Sequence, residues 1–140
     1  MSSPPEPSAA AIRQALENIV ASAGFTNSVR MSRFLRWVVE RSLEGDAAAI
    51  REYAIGMAVF DRDPNYDPKI DTIVRVEARR LRKKLQEYYE GPGQDDVVRI
   101  EMPGPGYVPV FHVAHAGARS LMSEPDGTWV ARLRSKFGLG

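Results

Sequence analysis

A mainly α-helical domain with one small β-hairpin is what three features of these 140 residues predict. Four stretches before residue 91 repeat apolar side chains at three- and four-residue intervals, the period of an amphipathic helix. Past residue 91 the pattern changes to the alternation of a strand, with Val98 and Ile100 set against Arg99 and Glu101. Glycine and proline mark the switch, in Gly91-Pro-Gly93 and again in Pro103-Gly-Pro-Gly106.

Residues 1–7 hold three prolines and read as a disordered leader. Ser8 is placed to cap a first helix whose apolar face is Ile12, Leu16, Ile19, Val20 and Ala23, with Gly24 as its stop. Asn27 or Ser28 caps a second helix, with Met31, Phe34, Leu35, Val38 and Leu43 inward and Gly45 at its end. Trp37 lies off that face, and Arg30, Arg33, Arg36 and Arg41 form a solvated side. A third helix is expected from about Ala47 to Phe60, burying Ile50, Tyr53, Ala54, Met57 and Phe60. The prolines of Asp61-Arg-Asp-Pro-Asn-Tyr-Asp-Pro68 then break the chain into a compact turn. Asp67 or Asp71 caps a fourth helix over 70–90, with Pro68 suited to its first turn.

That fourth helix is the most informative stretch. Val74, Ala78, Leu81, Leu85 and Tyr88 follow intervals of 4, 3, 4 and 3 and make one apolar stripe. Arg75, Arg79 and Arg82 repeat the spacing about a third of a turn away, with Arg80 and Lys83 beside them. Positions 75–84 hold six Lys/Arg and one acid, Glu77, a local charge of +5 in a chain whose total is +1. Asp61, Asp63, Asp67 and Asp71 precede the cluster, and Glu87, Glu90, Asp95 and Asp96 come after it. Charge sorted in this way makes a positive patch on a near-neutral chain. A helix about 10–12 Å across fits the major groove of B-DNA, although a solvated surface helix without a ligand is the plainer reading of a basic helix taken alone.

The residues beyond Gly91 favour the nucleic-acid reading. Val97–Glu101 reads as one strand and Tyr107-Val-Pro-Val-Phe111 as its return, with Pro109 on an edge. A helix, a turn, a basic helix and a hairpin, in that order, are the layout of a winged helix-turn-helix, here preceded by two extra N-terminal helices. The domain is expected to span 8–113, and 114–140 a linker and tail. Gly117–Gly127 is linker-like, and Thr128–Phe137 suits a short amphipathic helix with Trp129, Val130, Leu133 and Phe137 on one side. His112 and His115 read as surface histidines.

Composition removes other classes. The absence of cysteine excludes disulfides, thiol chemistry and cysteine-ligated zinc. No run of about 18 apolar residues occurs, so no membrane partner is expected, and the first residues lack the pattern of a signal peptide. A Gly-rich phosphate loop, a His/Asp/Glu metal cluster and a nucleophile with its base are all missing, so neither catalysis nor a cofactor is expected.

Val74-Arg-Val-Glu-Ala-Arg-Arg-Leu-Arg-Lys-Lys-Leu85, followed by Val98-Arg-Ile-Glu-Met-Pro-Gly-Pro-Gly-Tyr107, resembles the recognition helix and wing of OmpR/PhoB-type response-regulator effector domains. A closer resemblance, over about 16–112, is to a bacterial winged helix-turn-helix domain found at the N-terminus of proteins with TPR-like or cyclase-like modules. Phe34-Leu-Arg-Trp-Val-Val-Glu40, Glu52–Phe60, Tyr66–Leu81 and Gly106–Phe111 look like its signature segments. The resemblance implies a cytoplasmic, nucleoid-associated transcriptional regulator. It places Arg79, Arg80 and Arg82 where that family puts base- and phosphate-contacting arginines. Arg75 and Glu77 replace an Asp and a His common there, implying a different base preference. The tip Pro103-Gly-Pro-Gly106 lacks the family's minor-groove arginine; Arg99 is the nearest basic residue. The family's N-terminal sheet is replaced by helices.

The resulting expectation is double-stranded DNA as partner. One or two of Arg75, Arg79 and Arg82 would touch base edges, Arg80, Lys83 and Lys84 would hold phosphates, and Thr72 and Arg99 would join them from the helix start and the wing. A single module buries on the order of 600–1,000 Å², so a homodimer or adjacent sites are expected. Replacing Arg79 and Arg82 by Glu is expected to abolish binding and spare the fold. The rival reading is an adaptor whose arginine face meets an acidic regulatory protein without DNA; the uncharged wing tip favours it.

Overall fold

Ser8 caps α1 (Ala9–Val20) by accepting the amide hydrogen of Ala11 at 3.1 Å, satisfying one of the donors a helix start leaves free. The computed structural model describes residues 6–114; most of the leader, His115, the linker and the expected tail helix lie outside the described residues. α1 buries Ile12, Ala15, Leu16 and Ile19. It stops before Gly24, contrary to expectation, and that glycine sits exposed inside a single turn, α2 (Ala23–Thr26). Burial of Phe25, 1% exposed, outweighs the glycine as a stop signal.

Ser28, the second of the two candidate caps, accepts from the Met31 amide at 3.4 Å and opens α3 (Val29–Leu43). Met31, Phe34, Leu35, Val38 and Val39 are buried, Leu43 and Trp37 half-buried against them. Gly45, at φ +77°, turns the chain away after α3, in the left-handed region glycine enters without cost. The four arginines of α3 are not a free solvated face. Arg33 pairs with Asp61, Arg36 with Glu17, Arg41 with Glu44, and Arg30 lies 4.0 Å from Glu77.

The third helix is shorter and differently phased than its periodicity suggested. A 3-10 turn, Ala47–Ala49, and the buried Ile50 precede α4 (Glu52–Phe60). Restarting at Arg51 turns Ile55, Gly56, Val59 and Phe60 inward, leaves Tyr53 exposed, and leaves Ala54 and Met57 only half-buried. Tyr53 serves the following connection instead. Its ring stacks on Tyr66 at 5.5 Å and its hydroxyl donates to the Pro64 carbonyl at 2.5 Å. The Tyr66 hydroxyl donates to the Glu52 carbonyl at 2.9 Å and occupies the space beside Gly56, where an added Cβ would lie 1.9 Å from it.

The connection 61–72 is longer than the compact turn expected. Asp61 enters the left-handed region at φ 57° and closes α4. Asp63, Asp67 and Asp71 each accept an amide hydrogen from two residues on, at 2.8, 2.9 and 3.1 Å. Such Asx turns favour non-helical backbone. Arg62 bridges the ends of the connection through Asp71 at 2.6 Å. Pro68 therefore falls in a separate turn, not in the next helix, which begins at Ile73 with Thr72, not Asp67 or Asp71, at the cap position; Asp71 accepts the Ile73 amide from one residue further out.

α5 (Ile73–Glu90) buries Val74, Ala78, Leu81, Leu85 and Tyr88 as predicted, and also Glu77. Two antiparallel strands follow, β1 (Val98–Glu101) and β2 (Val110–Val113), with Val98 opposite Val113 and Glu101 opposite Val110. The return strand begins three residues later than Tyr107, and Pro109 is buried in the loop before it, not on a strand edge. Ile100 is fully buried, and its outward amide donates to the Tyr89 hydroxyl at 2.7 Å, binding the hairpin to the end of α5. The fold is thus mainly helical with one small hairpin. No helix among the described residues is long and apolar enough to cross a membrane.

Candidate nucleic-acid interface

Because α5 has 3.6 residues per turn and its apolar stripe faces the core, its basic side chains fall on three strips. Arg79 and Lys83 occupy the crest opposite the stripe; both are exposed, and neither has a partner among the described residues. Arg75 and Arg82 lie on the flank toward α4 and the hairpin, Arg80 and Lys84 on the flank toward α2 and α3. Thr72 stands exposed at the helix start, its side chain making no cap. Along the axis, Thr72 to Lys83 covers roughly 16 Å at 1.5 Å per residue.

The flanks are engaged. Arg75 reaches Glu52 at 2.9 Å and the Pro68 carbonyl, with 47% of its side chain still exposed. Arg82 donates from Nε to the Met102 carbonyl at 2.9 Å and from Nη2 to the Gly106 carbonyl at 2.7 Å, with the Tyr107 ring 6.0 Å away. It grips the loop that joins the strands, and its bonds remove those carbonyls from any strand ladder. This corrects the expectation that Arg82 projects freely from the wet side. The phenol of Tyr107 is pushed above its ordinary value by burial and by the Glu52 carboxylate, while Arg75 and Arg82 pull it back.

On the other flank, Arg80 donates to Glu77 at 2.9 Å and Lys84 to the Gly24 carbonyl at 2.8 Å. Four of the six cations, Arg79, Arg82, Lys83 and Lys84, therefore have no carboxylate partner among the described residues; Arg75 and Arg80 do. Glu77 itself is 3% exposed. It cannot meet a base edge, so the base preference that its place in the sequence implied does not arise from direct contact.

Arg99 stands apart. Its guanidinium lies 4.8 Å over the Tyr89 ring and donates to the Gln94 carbonyl at 3.3 Å, at the base of the hairpin beside the end of α5. From Tyr89 back to Arg79 is about 15 Å along the axis, so Arg99 does not join the crest. The Tyr89 hydroxyl beneath it is raised to about 12, chiefly by burial. The loop tip, with a cis Gly104–Pro105 bond, carries no charge. His112 pairs with Glu101 across the hairpin, and no cluster of metal-ligating side chains occurs among the described residues.

Sequence reasoning missed Arg30 and Glu77 as neighbours of this surface. The i,i+3 spacing of Glu77 and Arg80 was visible, but the approach of Arg30 depends on how α3 crosses α5. No family model, no curated protein and no solved structure matches this chain.

Proposed function

We propose that the chain is a winged helix-turn-helix protein that binds double-stranded DNA as a transcriptional regulator, with α5 in the major groove and the hairpin as its wing. The observation that carries this reading is the charge order along α5. Its first turn has no acid and its last turn no base; the six cations occupy positions 75–84, with Arg75 in the first turn, and Glu87 and Glu90 sit at the C-terminal end. Helix stability favours the reverse at the two ends, by about 0.3–1 kcal/mol per charge, which here concerns Arg75 in the first turn and Glu87 and Glu90 in the last. The arrangement costs the helix stability, and a polyanion facing the crest explains why it is present.

An adaptor for an acidic protein is the second reading, and the uncharged, self-bonded wing tip favours it. Fluorescence anisotropy with duplex DNA across a salt series separates the two. A protein neutralising about four phosphates loses affinity roughly 150-fold between 50 and 200 mM salt, from a slope near −0.9 per phosphate. A flat salt response, or no binding at low salt, refutes the DNA reading. Regulators of this kind work as dimers or on adjacent sites, and a cytoplasmic, nucleoid-associated location belongs to the same proposal.

A further inference from the structure

Between the start of α3 and the flank of α5 away from the hairpin runs an open groove of about 740 Å³. We propose that it holds one phosphate of the nucleic-acid backbone, with the buried Glu77 as the positioning residue that aims two guanidinium groups at it; this rests on the DNA reading above. Arg30, Arg80, Lys83 and Lys84 border the groove, against the acids Glu77 and Glu87, a net charge of +2.

Glu77 is the anomaly that points to a ligand. A carboxylate with 4% of its side chain exposed is costly to desolvate, and an apolar residue in its place often leaves a protein as stable or more so. Its Oε1 accepts from Arg80 Nη1 at 2.9 Å and lies 4.0 Å from Arg30 Nη1. Those two side chains nevertheless remain 67% and 59% exposed. One hidden anion thus meets two guanidinium groups that border the groove, Arg30 also lying 6.0 Å over the Phe60 ring, and both side chains stay more than half exposed. A guanidinium fork matches phosphate oxygens in pairs, so orientation adds to charge. Lys84, held by the Gly24 carbonyl, fixes an ammonium at the same wall.

The placement suits a duplex. A helix lying in the major groove has a sugar-phosphate strand on each side. The hairpin flanks α5 on the Arg75–Arg82 side, and this groove flanks it on the other.

The test compares wild type with R30Q and E77Q in duplex binding across a salt series, with thermal melts confirming that each variant is folded. E77Q makes the groove more positive. A patch acting by net charge alone therefore binds DNA more tightly in E77Q. An oriented clamp binds about fivefold more weakly in both variants, with the salt slope reduced by about one. Unchanged or tighter binding by folded E77Q overturns the proposal, as does an unchanged slope in R30Q. If wild type binds no duplex at low salt, the DNA reading has failed on its own. Inorganic pyrophosphate titrated into nitrogen-15-labelled wild type then decides the groove. Amide shifts confined to 24–31 and 77–87 retain its phosphate chemistry with a free phosphorylated ligand as the source, and no shifts overturn it.

Discussion

Arg82 and Arg79 sit one turn apart on the same basic helix, yet the structure assigns them opposite energetic roles. Arg82→Ala removes two charge-assisted hydrogen bonds, to the Met102 and Gly106 carbonyls at 2.9 and 2.7 Å. Bonds to charged groups contribute about 1.5–3 kcal/mol each when protected from water. Gly106 is exposed and its carbonyl regains water on mutation, so its bond adds little to the loss; Met102 is buried, 3% exposed, so its carbonyl is less easily rehydrated and its bond counts in the upper half of that range. A loss of about 2–3 kcal/mol results, equivalent to roughly 8–15 °C in melting temperature for a domain near 100 residues. Arg79→Ala removes no contact among the described residues and is expected to stay within about 0.5 kcal/mol of wild type. Urea denaturation gives both values, and hydrogen exchange of the 102–107 amides reports whether the loop opens in the Arg82 variant alone. Equal stability of the two variants would refute the assignment of Arg82 to the wing, and faster exchange in the Arg79 variant would as well.

Gly56→Ala places a methyl 1.9 Å from the Tyr66 hydroxyl and is expected to cost about 1–3 kcal/mol by overpacking. Tyr66→Phe in the same background should recover part of that loss, and a Gly56→Ala melt equal to wild type would contradict the packing described. Acid should unfold the protein through the carboxylates of Glu17, Asp61, Asp71 and Glu101. Hydrogen bonds from Arg36, Arg33, Arg62 and His112 respectively hold each below its ordinary value. A folded-state value below the unfolded one stabilises above the ordinary carboxylate range, near pH 4–4.5, and that contribution is lost as pH falls through the lowered values. Urea midpoints should therefore hold above about pH 5 and drop below pH 4; a flat profile between pH 5 and 3 would argue against these pairs forming in solution.

The helical body was readable because burial follows periodicity where a helix is long. Met31, Phe34, Leu35 and Val38 in α3, and Val74 through Tyr88 in α5, lie inward as their spacing required. Where elements are short the phase slipped. Tyr53 looked like a core residue at helical spacing from Ile50, but a break at Arg51 rotates α4, and the tyrosine finds its partner in Tyr66, thirteen residues on. Gly24 and Pro68 carried the usual stop and start signals, and each was overridden: one by the burial of Phe25, the other by the Asx turns of Asp63 and Asp67. At the candidate site, the basic stripe was legible as a stripe. Which of its members is free was not, because Gly24, Glu52, Pro68 and the 102–106 loop reach it from four different places in the chain.

Under the proposed DNA reading, that division of labour ranks the arginines as candidate readers of sequence. A bidentate contact to guanine discriminates by about 1–3 kcal/mol, and any bond the side chain must release first is subtracted from it. Arg75 would give up its pair with Glu52, a cost of about 0–1 kcal/mol, and its bond to the Pro68 carbonyl, so its gain is smaller than that of Arg79. Arg82 would give up both wing carbonyls, a cost comparable to the contact itself, and would loosen the loop it holds. Arg79 gives up nothing. On that proposal, specificity along α5 would fall first to Arg79 on the crest and second to Arg75 on the flank. Under the proposed DNA reading Arg82 would serve recognition indirectly, by holding the 102–106 loop against α5.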